Sequence, residues 1–143
     1  MDIALSEARR AADCGEVPVG AVIVKAGEVI AKGGNQIVSS HDPTGHAEMI
    51  VIREAARILG SERLIDCDLY VTLEPCAMCA GAISAARIRR LYYGAADEKG
   101  GGVDHGARYF TQPTCNHRPE VYSGFQEHEC QRILRDFFKL RRT

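Results

Sequence analysis

The spacing of apolar residues changes several times along this chain. Between residues 2 and 14, Leu5, Ala8 and Ala12 recur at helical spacing and predict a first helix. The next run, Val17-Pro18-Val19-Gly20-Ala21-Val22-Ile23-Val24, is β-branched and apolar on both faces, as in a central strand covered by helices. Ala26-Gly27 supplies a turn into a second strand from Val29 to Asn35, so these two strands predict a hairpin. From 46 to 59 the helical period returns, with Ile52, Ala55, Ala56 and Leu59 on one stripe. Its first two turns are apolar nearly all round, which predicts deep burial. Leu69 to Leu73 reads as a third strand and Ile88 to Tyr93 as a fourth. Residues 77–86 between them are mostly Ala with Gly81, a helix small enough for close packing on a sheet. Residues 97–117 are Gly-rich and without period, and predict mostly loop. Glu120 to Tyr122 predicts a short fifth strand. Cys130, Ile133, Leu134, Phe137 and Phe138 mark a last amphipathic helix, with Phe138 at the stripe's edge.

Helices alternating with strands in this order predict a three-layer α/β/α domain around a central mixed sheet of about five strands. The length, 143 residues, fits a single domain over 1–143. Composition adds little to this: 45% of residues are apolar and 26% charged, as in ordinary globular proteins. No apolar run approaches the roughly 20 residues that span a bilayer. The first residues, Met1-Asp2-Ile3-Ala4-Leu5-Ser6-Glu7, lack the basic and apolar regions of a signal peptide, which predicts a cytoplasmic location. The net charge of -1 excludes a global basic field. Nucleic-acid contact would need a local patch, and Arg132, Arg135, Lys139, Arg141 and Arg142 supply one. The same cations also suit the last turns of any helix.

Six cysteines are present, at 14, 67, 76, 79, 115 and 130. In a chain without a secretory signal they are expected to be reduced. Four stand singly; Cys76 and Cys79 do not. Following Pro75, they fall three apart in the first turn of a predicted helix, on one face and at an end that favours negative charge. That is a two-thiolate clamp suited to zinc. With no second C-x-x-C, His46 at the start of the other buried helix is the natural third ligand. Three protein ligands leave one position for water, the layout of a catalytic rather than a structural zinc. Water so placed is acidified toward hydroxide near neutral pH and needs a proton acceptor. Glu48 is placed to serve. It lies about 200° from His46 around a helix axis, so the two share a site only if both lean past the helix end.

Each piece has an ordinary reading alone. A lone C-x-x-C can be redox-active or accidental, a His opening a buried helix can be a core residue, and a first-turn Glu can complement the helix dipole. Together, His46-Ala47-Glu48 upstream of Pro75-Cys76-Ala77-Met78-Cys79 is the signature of zinc-dependent nucleobase deaminases.

The chain resembles the bacterial tRNA-specific adenosine deaminases of the cytidine-deaminase-like superfamily over almost its whole length. The likeness is carried by Gly15 to Val22, Asn35, His41-Asp42-Pro43-Thr44-Gly45-His46-Ala47-Glu48, Leu69 to Gly81, Asn116-His117-Arg118, and Asp136-Phe137-Phe138-Lys139 with Arg141-Arg142. The resemblance implies zinc, one per chain, on His46, Cys76 and Cys79, with Glu48 moving the proton from water to the ring nitrogen and then to the leaving ammonia. It implies that the Ala47 backbone and the Asn35 side chain hold the base and that Pro18 lines its pocket. Asp97 would contact the RNA, and Phe138, Lys139, Arg141 and Arg142 the anticodon loop. The implied activity is adenosine-to-inosine conversion at the wobble position of tRNA by zinc-bound hydroxide, in a homodimer. Residues 102–113 depart from the pattern, and His105 there reads as a solvent-facing loop residue rather than a ligand. The rival readings are a deaminase of free bases or nucleosides, a zinc-stabilised RNA-binding module without catalysis, and a thiol–disulfide oxidoreductase.

Overall fold

The computed structural model describes residues 1–141. In chain order it contains α1 (Asp2–Asp13), β1 (Gly20–Lys25), β2 (Glu28–Gly34), α2 (Ala47–Leu59), β3 (Cys67–Leu73), α3 (Ala77–Ala86), β4 (Arg90–Ala95), a single 3-10 turn at Tyr109–Thr111, β5 (Glu120–Tyr122) and α4 (Glu127–Arg141). The five strands form one mixed sheet in the order β2-β1-β3-β4-β5. β1 is antiparallel to both β2 and β3, and β3, β4 and β5 are parallel. The hairpin turns through Ala26 and Gly27, both at positive φ, the backbone that a two-residue hairpin needs.

α2 and α3 cover one face of the sheet and α1 and α4 the other. On the first face Ala21, Ile23, Leu69, Val71 and Leu91 meet Val51 and Ala55 of α2 and Ala80 and Ile83 of α3, all fully buried. The second face depends on two close approaches. A Cβ on Gly20 would stand 1.9 Å from the Ala4 carbonyl oxygen, so the backbone of α1 lies directly on β1. A Cβ on Gly94 would stand 2.3 Å from the Cys130 sulfur, so α4 lies as closely on β4.

Three expectations shift. The first strand starts at Gly20 rather than Val17, because the Val19 amide turns back onto the Val17 carbonyl. The fourth strand is Arg90–Ala95 rather than Ile88 to Tyr93, because the Ile88 amide still closes the end of α3 by donating to Ile83. α2 buries Ala47, Glu48, Val51 and Ala55, but Met49, Ile50 and Ile52 are only half-buried and Ile58 is 49% exposed. It rests on the sheet by one face instead of being enclosed.

Candidate active site

Two of the three donors arrive through the same local device. His46 is the N-cap of α2 and Cys76 the N-cap of α3, both in extended backbone, and neither side chain caps its helix. N-caps are usually Ser, Thr, Asp or Asn, whose oxygens turn back onto the first helical amides. A His or Cys there leaves the side chain free to point off the helix end. This also removes the 200° difficulty: His46 precedes the helix, Glu48 is inside it, and both reach the same space.

The Cys76 sulfur lies 3.7 Å and the Cys79 sulfur 3.6 Å from His46 Nδ1. All three donor atoms fall within 4.8 Å of one another. Tetrahedral zinc with ordinary Zn–S and Zn–N bonds sets a sulfur-to-nitrogen edge of roughly 3.6 Å. The trio therefore fits zinc by donor chemistry and by spacing, and it is the one such group among the described residues. The hydrogen bond shared with Cys79, and then His46, hold the Cys76 thiol well below its ordinary range, while the same bond and burial raise Cys79. Cys76 in turn raises the His46 imidazole. Glu48 is 3% exposed, and burial pushes its carboxyl up to about 7. Near neutral pH it can therefore both take and give a proton.

Asn35 is 8% exposed, and its Oδ1 accepts the Ala47 amide at 2.8 Å. The two groups expected to hold a base are thus bonded to each other, which leaves the Asn35 side-chain NH2 as the donor facing outward chemistry. Pro18 is buried in the bend leading to β1. A cleft of about 450 Å³ opens beside Asn35 rather than over the donor trio, lined by Arg10, Glu16, Lys32, Gln36 and Ser39 among others.

Two buried carboxylates that the sequence did not single out brace this region. Glu16 accepts the amides of Ile37, Val38 and Ser39 and so fixes the loop after Asn35. Glu74, immediately before Pro75-Cys76, accepts the amides of Asp97, Val103, Asp104 and His105. His105 has Nδ1 2.8 Å from Glu74 Oε1 and a side chain that is 34% exposed: it stands apart from the metal donors as expected, but it is tied to a buried carboxylate as well as facing solvent. Asp97 is half-buried at the C-terminal end of β4, on the same side of the sheet as the donors. Asn116-His117-Arg118 acts as a fastening: His117 Nε2 meets the Ile88 carbonyl at 2.7 Å, and Arg118 donates to the carbonyls of Phe110 and Gln112.

At the C-terminal end, only Cys130 of the predicted stripe is fully buried; Ile133, Leu134 and Phe137 are half-buried. Phe138 is 45% exposed and Lys139 is exposed. Arg141 is exposed; it stacks over Phe137 and donates to the Gly15 carbonyl. Arg142 lies outside the described residues. All six cysteines are free.

A His-Cys-Cys donor set at two helix N-termini, with a buried glutamate of raised pKa among them, defines a hydrolytic zinc-dependent deaminase on this three-layer scaffold. The sequence agrees, and the chain belongs to the MafB19-like deaminase family, whose profile matches residues 1–142. It is 60% identical over 142 residues to the tRNA-specific adenosine deaminase of Agrobacterium fabrum, covering 99% of this chain and 93% of the relative. The corresponding enzyme of Rickettsia typhi is 46% identical, covering 100% and 98%. Among solved structures, a chain from a study of A-to-I editing by tRNA:A34 deaminases at the wobble position superposes with a TM-score of 0.93 at 60% identity, covering 94% of this chain and 97% of its own. A Bacillus subtilis guanine deaminase superposes at 0.65 with 35% identity, covering 98% and 90%.

Proposed function

We propose that this chain, as one domain over residues 1–143, converts adenosine to inosine at the wobble position of tRNA anticodon loops. The chemistry follows from the donor trio and Glu48. The substrate is carried by one observation: likeness at 60% identity over nearly the full length to a tRNA-specific adenosine deaminase, against 35% to a guanine deaminase. Bound zinc supplies a Lewis acid that makes water nucleophilic near neutral pH. His46, Cys76 and Cys79 are the residues that would hold it. Glu48 takes one proton as water adds to C6 of the base and passes it to the ring nitrogen; it then carries the remaining proton of the new C6 hydroxyl to the departing amine, so that water enters, the C6 carbonyl forms and ammonia leaves. The Asn35 side-chain NH2 orients the base, the Ala47 amide holds Asn35 in place, and Pro18 closes one wall of the pocket. Because the target lies in a loop, extruding the base from its stack costs less than in a duplex.

RNA contact would come from Asp97 and from the C-terminal end of α4, where Phe138 and Lys139 offer an aromatic face beside a cation. Arg141, stacked on Phe137 and exposed, would add a second cation to that surface. A second copy of the chain would complete the assembly; Ile58 of α2 and Met78 of α3, 49% and 38% exposed, are apolar surface available to it. No helix among the described residues is long and apolar enough to cross a membrane, and a tRNA substrate favours work in the cytoplasm.

The test is sequencing of total tRNA with and without the gene, paired with the purified protein acting on an anticodon stem-loop and on free guanine. Loss of wobble inosine and turnover of the stem-loop support the reading. Turnover of guanine with the stem-loop untouched overturns it in favour of a free-base deaminase.

A further inference from the structure

We propose that Glu74 is a positioning residue that pins the 97–105 loop onto the Cys76 turn and thereby sets where Asp97 meets the substrate RNA. The proposal rests on the reading of Asp97 as an RNA contact.

Glu74 extends the pairing of β3 with β4 by one residue, its amide donating to the Ala95 carbonyl at 2.8 Å. Its carboxylate is fully buried and lies at ion-pair distance from His105. Oε1 accepts the Asp97 amide at 3.0 Å and faces His105 Nδ1 at 2.8 Å. Oε2 accepts the amides of Val103, Asp104 and His105 at 3.2, 2.9 and 3.1 Å. Five donors from both ends of one loop therefore converge on a single carboxylate. An acid so deeply desolvated persists only where such donors compensate it.

The loop closes tightly on this anchor. The Gly101 amide returns to the Asp97 carbonyl at 2.9 Å, and the Gly102 amide donates to the Pro75 carbonyl at 2.8 Å. A Cβ on Gly101 would stand 2.5 Å from Glu74 Oε2, and one on Gly102 would stand 2.5 Å from the Ala77 amide nitrogen. Both glycines are needed for the loop to lie flat on the turn that carries Cys76. At its outer end the Asp97 carboxylate accepts the Gly100 amide at 2.9 Å, which fixes its direction. The chemistry of deamination uses neither Glu74 nor His105; the loop they hold carries the group proposed to face RNA.

The test compares Glu74→Gln, His105→Ala and Asp97→Ala with the parent in zinc content, in kcat and KM on an anticodon stem-loop, and in hydrogen exchange of the loop amides. Glu74→Gln turns an acceptor into a donor against these amides. It is expected to keep its zinc and a kcat within about twofold, and to raise KM about tenfold, as for one lost buried charge-assisted hydrogen bond. Exchange at 97 and 103–105 is expected to speed up. His105→Ala removes the ring donor alone and should show a smaller rise in KM, which keeps the proposal testable if Glu74→Gln misfolds. Combining Glu74→Gln with Asp97→Ala should raise KM no further than the larger single change. Loss of zinc, a fall in kcat at unchanged KM, unchanged kinetics, or additive KM changes would each overturn the proposal. If Asp97→Ala leaves KM unchanged, the RNA role of Asp97 is wrong. If the parent does not edit the stem-loop, the functional reading is wrong. In those two cases the exchange rates in Glu74→Gln still decide the pin.

Discussion

His46 and Cys76 stand where a helix ordinarily begins with a capping oxygen, and both give up the cap to leave a metal donor pointing outward. A local rule broken twice at one place is the residue-level mark of a working site. These residues were legible in the sequence because the chemistry restricts their type and spacing: His-x-Glu and Cys-x-x-Cys at two helix starts put two thiolates, an imidazole and a free acid together. Glu16 and Glu74 were not legible in that way, because a lone acid next to an apolar run looks the same whether it ends in solvent or under a loop. The available hint was position, each acid adjoining a run of residues destined for the core. At this scale the decisive experiment concerns Glu48. Glu48→Gln keeps the shape, loses the proton exchange, and should retain full zinc while turnover drops by about 10²–10⁴-fold, the usual contribution of a general acid–base group. Elemental analysis beside a deamination assay checks it; turnover within a few-fold of the parent would remove Glu48 from the mechanism.

Most elements could be located from periodicity, with their ends displaced by one to three residues. The displacements have causes that periodicity does not carry. Val17 is as β-prone as Val22, yet its carbonyl is claimed by a bend. Ile88 is apolar and buried, yet it finishes α3 rather than opening β4. α3 itself offered no amphipathic stripe, only small residues, and it forms because close packing on the sheet rewards them. The 97–117 loop was recognised as loop, but its order comes from a carboxylate far away in sequence. The loop after Asn35 is ordered in the same manner by Glu16, which gives a pH dependence. Burial raises the Glu16 carboxyl, and the amides of Ser39, Val38 and Ile37 more than reverse this, holding it below the ordinary 4.5. A depressed folded pKa contributes stability that is fully present above the unfolded value and lost as pH falls through the folded one. Acidification below about 4.5 should therefore loosen the 37–39 segment. The amide shifts of Ile37, Val38 and Ser39, followed by NMR, should titrate together with a midpoint under 4.5; a common midpoint above it would contradict the account.

On the scale of the whole molecule, the donors, Asn35, Asp97 and the bracing carboxylates gather at one end of the sheet, beyond the C-terminal ends of β3 and β4. That is where parallel strands commonly leave room for a ligand. Whether the molecule works alone was not readable from periodicity, because an apolar residue facing a second copy has the same spacing as one facing the core. Light scattering at micromolar concentration should give a mass near twice the 15.6 kDa of one chain. A mass of one chain would rule out the homodimer.

The hairpin turn lies at the opposite end of the sheet from the metal donors, and this makes it a handle. Lys25, just before the hairpin turn, pairs with Cys67 at the start of β3, whereas Leu73 at the far end of that strand leads to Cys76. A seven-residue strand separates the turn from the metal donors, about 20 Å of extended chain. Gly27 is exposed, and a Cβ there would meet nothing within 4 Å. A flexible insert between Ala26 and Gly27 is therefore expected to be carried without disturbing the chemistry, since a longer surface loop adds only about 0.6 kcal/mol per doubling of its length. A Gly/Ser insert of about ten residues there should keep kcat/KM on the stem-loop within about threefold of the parent. A larger fall would mean that the two ends of the sheet are mechanically connected. Retained activity would allow the enzyme to be tethered, labelled or fused through its back while its working face stays open.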